Sequence, residues 1–350
     1  MLWFNIITLT PVILLLGAGT LGGVWAWTAL IYMTAFMYGI DRLVQIDAVR
    51  RGRDGEFPSG DGLSVVLGLT HVPLLILGVL AVGGFADLSV TERLVCLFAF
   101  GSFFGQVSNT NNHELIHRTN RRLKRLGTFL YVTVMFGHHV SAHLLVHHPD
   151  AGTDADPNTA RPGEGFYRYL PRAWIGSFIA GYRAENALRA RAATPRPAWT
   201  HPYVFYVLGS VVFIAMAFTL GGWAALLSYV ALCAYAHTQH LMSDYVQHYG
   251  IRRNKLENGK YEPIGLDVSW NAPQFFSSAM MVNAPRHSDH HVHPLRHYPE
   301  LQIDSKTMPL FPLSLPVMCF IALVPPLFRR IMNPRVAALK HGRDMPKTLF

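Results

Sequence analysis

Residues 93–118 read RLVCLFAFGSFFGQVSNTNNHELIHR, apolar through most of their length and closed by His113-Glu-Leu-Ile-His117. A helix needs about 20 residues to cross the hydrocarbon core of a bilayer, so 93–112 is long enough to span. It carries two histidines, four apart, at its end. Four residues along a helix return to the same face about 6 Å further on, the placement of two donors to one ion. The expected fold is therefore an all-α bundle of membrane helices with metal-ligating residues at one face.

The composition agrees with this start. Of 350 residues 51% are hydrophobic and only 15% charged, where a soluble domain carries about 25%. Six apolar stretches reach spanning length, at 2–19, 21–40, 63–85, 93–112, 203–221 and 223–243, and pair as three hairpins across glycine-bearing turns. The first has no basic residue before it and is followed at once by a second, so it is read as a span and not as a cleaved signal. Lysine and arginine are absent before Arg42, between Arg53 and Arg93, and between Arg196 and Arg252. By the positive-inside rule both termini and the polar segments 113–200 and 244–350 are expected on the cytoplasmic side, as in a multi-pass protein of a bacterial inner membrane. That accounts for much of the +9 formal charge, and no basic, aromatic-interleaved segment is left for nucleic acid. A seventh apolar run, Pro309 to Phe328, is interrupted by five prolines and is expected to be interfacial or re-entrant. The whole chain, 1–350, is taken as one domain.

Eighteen histidines almost match the 21 carboxylates, and most of them cluster. After His113 and His117 come His143, His147 and His148, in a helix-like run from Leu126 to Val146, then His287, His290 and His291. Each cluster has helical spacing, with His143 and His147 on one face, His148 about 100° further round, and the third cluster on one face. His113-Glu-Leu-Ile-His117 also fits the HExxH pattern of zinc proteases, with Glu114 as the base, but far more histidine follows than one zinc can use. Cys96, Cys233 and Cys319 are isolated in apolar stretches, so thiolate ligation and a disulfide framework are excluded. Two ions of four or five imidazoles each would use the supply; imidazole suits iron, copper, nickel and zinc alike. Glu114, Asp154, Asp156, Asp244 and Asp289 lie close in sequence to these histidines and are expected to orient the rings. His248 leaves the sixth span where it could complete a set of nine. His138, His139, His237 and His240 are expected to be hydrogen-bonded interior groups. Neither His71, in mid-span, nor His201, His293, His297 and His341 is expected to be a ligand.

At HELIHR (113–118), HLLVHH (143–148), DYVQHYG (244–250) and RHSDHH (286–291) the chain resembles the integral-membrane alkane monooxygenases of the AlkB type, which belong with membrane fatty-acid desaturases and hydroxylases and with xylene monooxygenase. Asp156-Pro-Asn-Thr-Ala-Arg161, Tyr169-Leu-Pro-Arg172 and Ser269-Trp-Asn271 are similar too, and the resemblance is specific from about Gly105 to Leu301. It implies a six-helix membrane fold with a cytoplasm-facing, histidine-ligated, non-haem di-iron cap. The implied iron ligands are His113, His117, His143, His147, His148, His248, His287, His290 and His291. The chain departs from the family at Ala142 and Gln247, where glutamate is usual, at Val146 for glycine, and at Asp244 for asparagine. No ligand is lost, but two carboxylates are.

The resemblance implies O2-dependent terminal hydroxylation of medium or long alkanes to primary alcohols. No Rossmann, flavin or four-cysteine motif occurs in the chain, so electrons must come from a separate protein, by resemblance a rubredoxin or ferredoxin with its reductase. An acidic carrier could dock at Arg118, Arg121, Arg122, Lys124 and Arg125. Alternatives in the same chemistry are methyl hydroxylation of alkyl-aromatics or terpenes and hydroxylation or desaturation of acyl chains. Outside it stands a membrane metal transporter, which would place histidines or acids along a mid-membrane path. Trp3, Trp25, Trp27, Phe36 and Phe103 are the bulky candidates for closing a substrate channel.

Overall fold

The computed structural model describes residues 1–44 and 59–342. Among these no strand forms, and β pairing is limited to isolated bridges of Lys255 with Tyr261 and Asn271 with Leu310. Of the basic residues used to orient the chain, Arg50, Arg51, Arg53, Arg343 and Lys347 lie outside the described residues. Four helices of spanning length come first: α1 (Leu2–Leu21), α2 (Gly23–Leu43), α3 (Asp61–Gly83) and α4 (Val90–Ile116). Ser89 and Glu92 cap α4 reciprocally, the Glu92 amide donating to Ser89 Oγ and the Ser89 amide to Glu92. The second Glu92 oxygen accepts from the Gly23 amide at 2.6 Å and ties the α1–α2 turn to the start of α4.

Next come α5 (Arg121–Thr133), α6 (138–150) and α7 (Phe166–Ala190). The run from Leu126 to Val146, expected as one helix, is two. The chain turns at Val134 and Met135, the latter at φ 59°, with the Phe136 amide closing on the Tyr131 carbonyl. The turn buries Phe136 between the rings of His139 and His237, and that burial overrides the helical pattern.

The fifth helix of spanning length, α8 (Pro202–Gln247), has 46 residues. At 1.5 Å per residue it would be about 69 Å long if straight, against about 30 Å of hydrocarbon. It is not straight, because Gly221 and Gly222 leave helical φ/ψ. Tyr206 in the first leg bonds Ser141, and His237 in the second bonds Val134, so both legs reach the same turn and form a hairpin. Gly101 and Gly105 of α4 let Tyr235 and Gln239 of the second leg approach closely, as small residues do between membrane helices.

Short helices complete the polar end: α9 (Phe275–Met280), α10 (His287–Val292), α11 (Leu315–Ala322) and α12 (Pro325–Lys340). Asp41, at the end of α2, accepts from the Phe276 and Ser277 amides and fixes α9 to the bundle. The apolar run from Pro309 to Phe328 is no single span, because α11 has eight residues and the chain turns at Val324 before Pro325 starts α12.

Gly222 sits at φ 60°, ψ −145°, a region essentially closed to other residues. Gly222→Ala should cost about 1–3 kcal/mol and lower the melting temperature in detergent. Gly62→Ala, in a helix with nothing near its would-be Cβ, should be neutral or stabilising by up to about 1 kcal/mol.

Candidate metal centre

The nine histidines singled out from the sequence come together in two groups. His113, His117, His143, His148 and His290 form one, and His147, His248, His287 and His291 the other, with the ligand atoms of each within 4.8 Å of one another. Two details differ from the helical-face expectation. His143 shares its group with His148 and not with His147, because residues 143–147 form a π-helical turn, in which bonds run from i to i+5. Pro149 helps widen it, since it has no N–H for residue 145 and its ring would crowd that carbonyl. Second, α10 serves both groups, His290 the first, His287 and His291 the second.

The nitrogens face each other as donors around a cation do. In the first group the Nε2–Nε2 distances are 2.8 Å for His113–His143, 2.9 Å for His117–His143, 3.0 Å for His143–His148, 3.1 Å for His148–His290 and 3.2 Å for His117–His148. In the second, His287 lies 3.1 Å from both His248 and His291. Metal–imidazole bonds of 2.0–2.1 Å set two donors at right angles about 3.0 Å apart. Each Nε2 of a neutral imidazole is either a donor or an acceptor, so in the triangle of His117, His143 and His148 the contacts cannot all be hydrogen bonds. Nε2 of His147 is buried and has none. The donor set fits a metal ion in each group and is compatible with iron.

Electrostatics keep the rings in the ligating form. Burial, then the neighbouring imidazoles, holds His117, His143, His148, His287, His290 and His291 well below the ordinary histidine range. For His248 the same causes give a value of about 4. His147 is the exception. Burial works against its charge, but Asp156 lifts it above the usual value, and Asp156 is held down to about 2. The His147 Nδ1–H donates to Asp156 at 2.9 Å, which turns Nε2 toward the second group. Asp156 also accepts from Thr159 Oγ1 and the Asn158 amide. Arg172 clamps that loop through the Pro157 and Thr159 carbonyls and is itself paired with Glu164.

The other expected carboxylates act elsewhere. Glu114 pairs with Arg118 at 2.8 Å and accepts from the Tyr298 amide, so it braces backbone and is not placed as a protease base. Asp289 binds Arg296, His293 and the Gln302 amide. Asp154 is exposed and pairs with Arg252. Asp244 accepts from Asn158 Nδ2 at 2.6 Å and faces a cavity. Gln247 is committed to Ser243 and the Ala284 carbonyl. Arg118, expected on a docking surface, is buried against Glu114, Asp61 and the Ser59 carbonyl, whereas Arg121, Arg122, Lys124 and Arg125 are exposed.

The remaining histidines join neither group. His71 bonds Ser108 and Thr133, His237 the Val134 carbonyl, and His240 Asn109. His138 and His139 are buried, His201 caps the Tyr203 amide, and His293 and His297 bond Asp289 and the Ser59 carbonyl. His341 is exposed.

A cavity of about 730 Å³ leads to the centre, with His113, His143 and His287 in its wall. Its apolar lining includes Met33, Met37, Met242, Met281, Phe320 and Leu323, drawn from α2, α8, α11 and the loops beside α10 and α11. None of Trp3, Trp25, Trp27, Phe36 and Phe103 lines it; Phe103 is buried elsewhere and the others lie on the outer surface. The methionines carried no sequence signal, because an apolar residue facing a channel and one facing lipid look alike.

Removing the Asp156 carboxylate should loosen His147 without removing a ligand. Asp156→Asn is expected to weaken metal retention by about 10–100-fold in chelator competition, while Asp154→Asn should leave it unchanged.

The fatty acid desaturase family model matches residues 89–313, well over half of the chain. Alkane 1-monooxygenase 2 of Pseudomonas aeruginosa is 29% identical over 333 residues, covering 93% of this chain and 87% of that protein. Alkane 1-monooxygenase 1 of Alcanivorax borkumensis is 31% identical over 255 residues, or 73% of this chain and 63% of that one. The xylene/toluene monooxygenase hydroxylase component of Pseudomonas putida is 26% identical over 324 residues, 90% and 84% of the two chains. With the match spanning every segment that supplies the two histidine groups, the chain belongs to the fatty acid desaturase family and is similar within it to the integral-membrane alkane 1-monooxygenases.

Proposed function

We propose that the chain hydroxylates the terminal methyl of medium or long alkanes, using O2 at a di-iron centre, to give primary alcohols. The observation that carries this reading is the meeting of both histidine groups with one apolar cavity between helices of membrane-spanning length. His113, His117, His143, His148 and His290 hold one iron, and His147, His248, His287 and His291 the other. Reduced iron supplies the activation of O2 that an unactivated C–H bond requires; one oxygen atom enters the product and the other leaves as water. The methionine-rich wall holds the hydrocarbon without demanding one shape, and its volume lies in the range of small-molecule sites. Asp156 keeps the His147 ring aimed, and the mostly apolar lining of the cavity disfavours water beside the reacting carbon.

The chain works as one domain in a bacterial-type inner membrane, crossing six times through α1 to α4 and the two legs of α8. The length of α8 and its break at Gly221–Gly222 support the sixth crossing, and the distribution of lysine and arginine supports a cytoplasmic position for both termini and the histidine segments. A separate rubredoxin or ferredoxin, with its reductase, delivers electrons at Arg121, Arg122, Lys124 and Arg125, whose exposure on the first turn and a half of α5 suits an acidic carrier.

A second reading, methyl hydroxylation of an alkyl-aromatic, is favoured by the similarity to the xylene/toluene component and by the polar cavity-wall residues Gln106, Gln239 and Asp244. The transporter reading calls for mid-membrane histidines or acids free to pass an ion, whereas His71, deep in α3, is satisfied by Ser108 and Thr133.

Purified protein and His290→Ala should be compared for iron content and for hydroxylation of octane, dodecane, toluene and acyl lipids, with added rubredoxin and reductase. The expected result is about two irons per chain, one per histidine group, and alkanol product. The variant should lose iron from the five-histidine group and lose the product. Benzyl alcohol alone would favour the second reading; zinc or no metal, with the variant unchanged, would sink both.

A further inference from the structure

The 25-residue helix α7 turns one face to the protein and leaves another uncovered. Phe166, Tyr169, Ala173, Ser177 and Gly181 are buried, and its one carboxylate, Glu185, accepts from Ser141. On the far side Trp174, Phe178 and Tyr182 follow at intervals of four and make one stripe, with Ile175 and Ile179 making the next; Trp174 is 46% exposed and Ile175 57%. Arg183 lies about 40° beyond Ile179 round the helix and is exposed, as is Arg168. Trp199, 76% exposed, follows just before α8. Aromatic and basic residues flanking an apolar stripe are what a helix lying in the plane of a membrane interface presents.

Beside this face is a groove of about 400 Å³, separate from the cavity at the histidines. Trp174, Ile175, Phe178 and Ile179 of α7 form one wall, and Tyr206, Val207, Ser210 and Val211 of α8 the other. The second wall belongs to the first turns of a helix long and apolar enough to cross a membrane, so the groove opens at bilayer depth. Its lining is almost wholly apolar, and the exposed arginines stand at the polar edge of the same helix.

We propose that α7 lies in the headgroup region of the bilayer and that the groove between α7 and α8 holds an acyl chain of an anionic phospholipid, its phosphate facing Arg183. The lipid is then a fixed part of the wall behind α6, since Gly137 and His138 also line the groove.

The test uses full-length protein in vesicles of phosphatidylglycerol and phosphatidylethanolamine. In a Cys319→Ser background, with Cys96 and Cys233 buried, Ile175→Cys carries an environment-sensitive fluorophore. Asn258→Cys, in the exposed loop after α8, serves as the aqueous control. The label at 175 should be quenched several-fold more by a nitroxide high on the acyl chain than by iodide, with the reverse at 258. Mass spectrometry of gently solubilised protein should find a retained phosphatidylglycerol that is lost when Ser210→Trp fills the groove. Arg183→Gln should reduce the preference over phosphatidylethanolamine, and both variants should keep the parental melting temperature. Dominant iodide quenching at 175, or an unchanged lipid count in Ser210→Trp, would overturn the proposal. So would displacement of the lipid by dodecane, which would give the groove to hydrocarbon.

Discussion

The rest of the structure turns on bringing nine imidazoles into two groups at a buried polar end, the ligand nitrogens of each group within 4.8 Å of one another. Burial and the neighbouring imidazoles hold His117, His143, His148, His248, His287, His290 and His291 neutral, and the contacts among the nitrogens cannot all be hydrogen bonds. A buried polar atom without a partner costs about 1–3 kcal/mol, so such a constellation is unstable as an empty hydrogen-bonding cluster and stable around cations. A metal ion held by either group would contribute directly to holding the polar end together.

The supporting structure follows from that demand. Histidines come from the end of a membrane helix, from a π-helical turn, from the residue after α8 and from a six-residue helix. Each source is held by hydrogen bonds with no slack. Asn271 is the clearest case: its Oδ1 accepts from the Ser288 amide at the start of α10, while its Nδ2 reaches the Ser269 and Pro309 carbonyls and Ser288 Oγ. Arg253 does the same for the segment after His148, donating to the Pro149, Ala151 and Glu262 carbonyls. These contacts anchor the backbone that carries the rings, the kind of support a ligand set needs.

The bilayer supplies the other half of the design. The helices that carry His113 and His248 to the polar end also wall the cavity, so the path open to a hydrocarbon and the ligands at its end are parts of the same elements. A hydrophobic molecule dissolved among lipids approaches without crossing water. The helices that build this path tolerate close approach because Gly101 and Gly105 present no side chain to Tyr235 and Gln239.

Much of this was legible in the residues alone. Apolar runs of about 20 residues can only be satisfied as helices in lipid, so α1 to α4 and both legs of α8 were readable to within a few residues, including the break at Gly221–Gly222. Eight of the nine histidines were readable because their type and helical spacing have no cheaper explanation; His248, which has no partner at helical spacing, entered through the family resemblance. Their division into five and four was not, because it turns on one extra residue in the turn at 143–147 and on α10 pointing two ways. The break at Met135 was hidden as well: the local pattern is helical, and stacking of Phe136 on His139 and on the distant His237 overrides it. Arg118 shows the same limit from the charged side, since a basic residue at a membrane boundary reads as surface until Glu114 and Asp61 are seen to enclose it. The sequence by itself determined what is periodic or chemically expensive, namely helices of membrane-spanning length and candidate metal ligands. Tertiary structure alone decided which nitrogens meet in one group, which carboxylate holds which ring and which apolar residues face the cavity. Those choices depend on distances between segments far apart in the chain, and local residue preferences do not encode them.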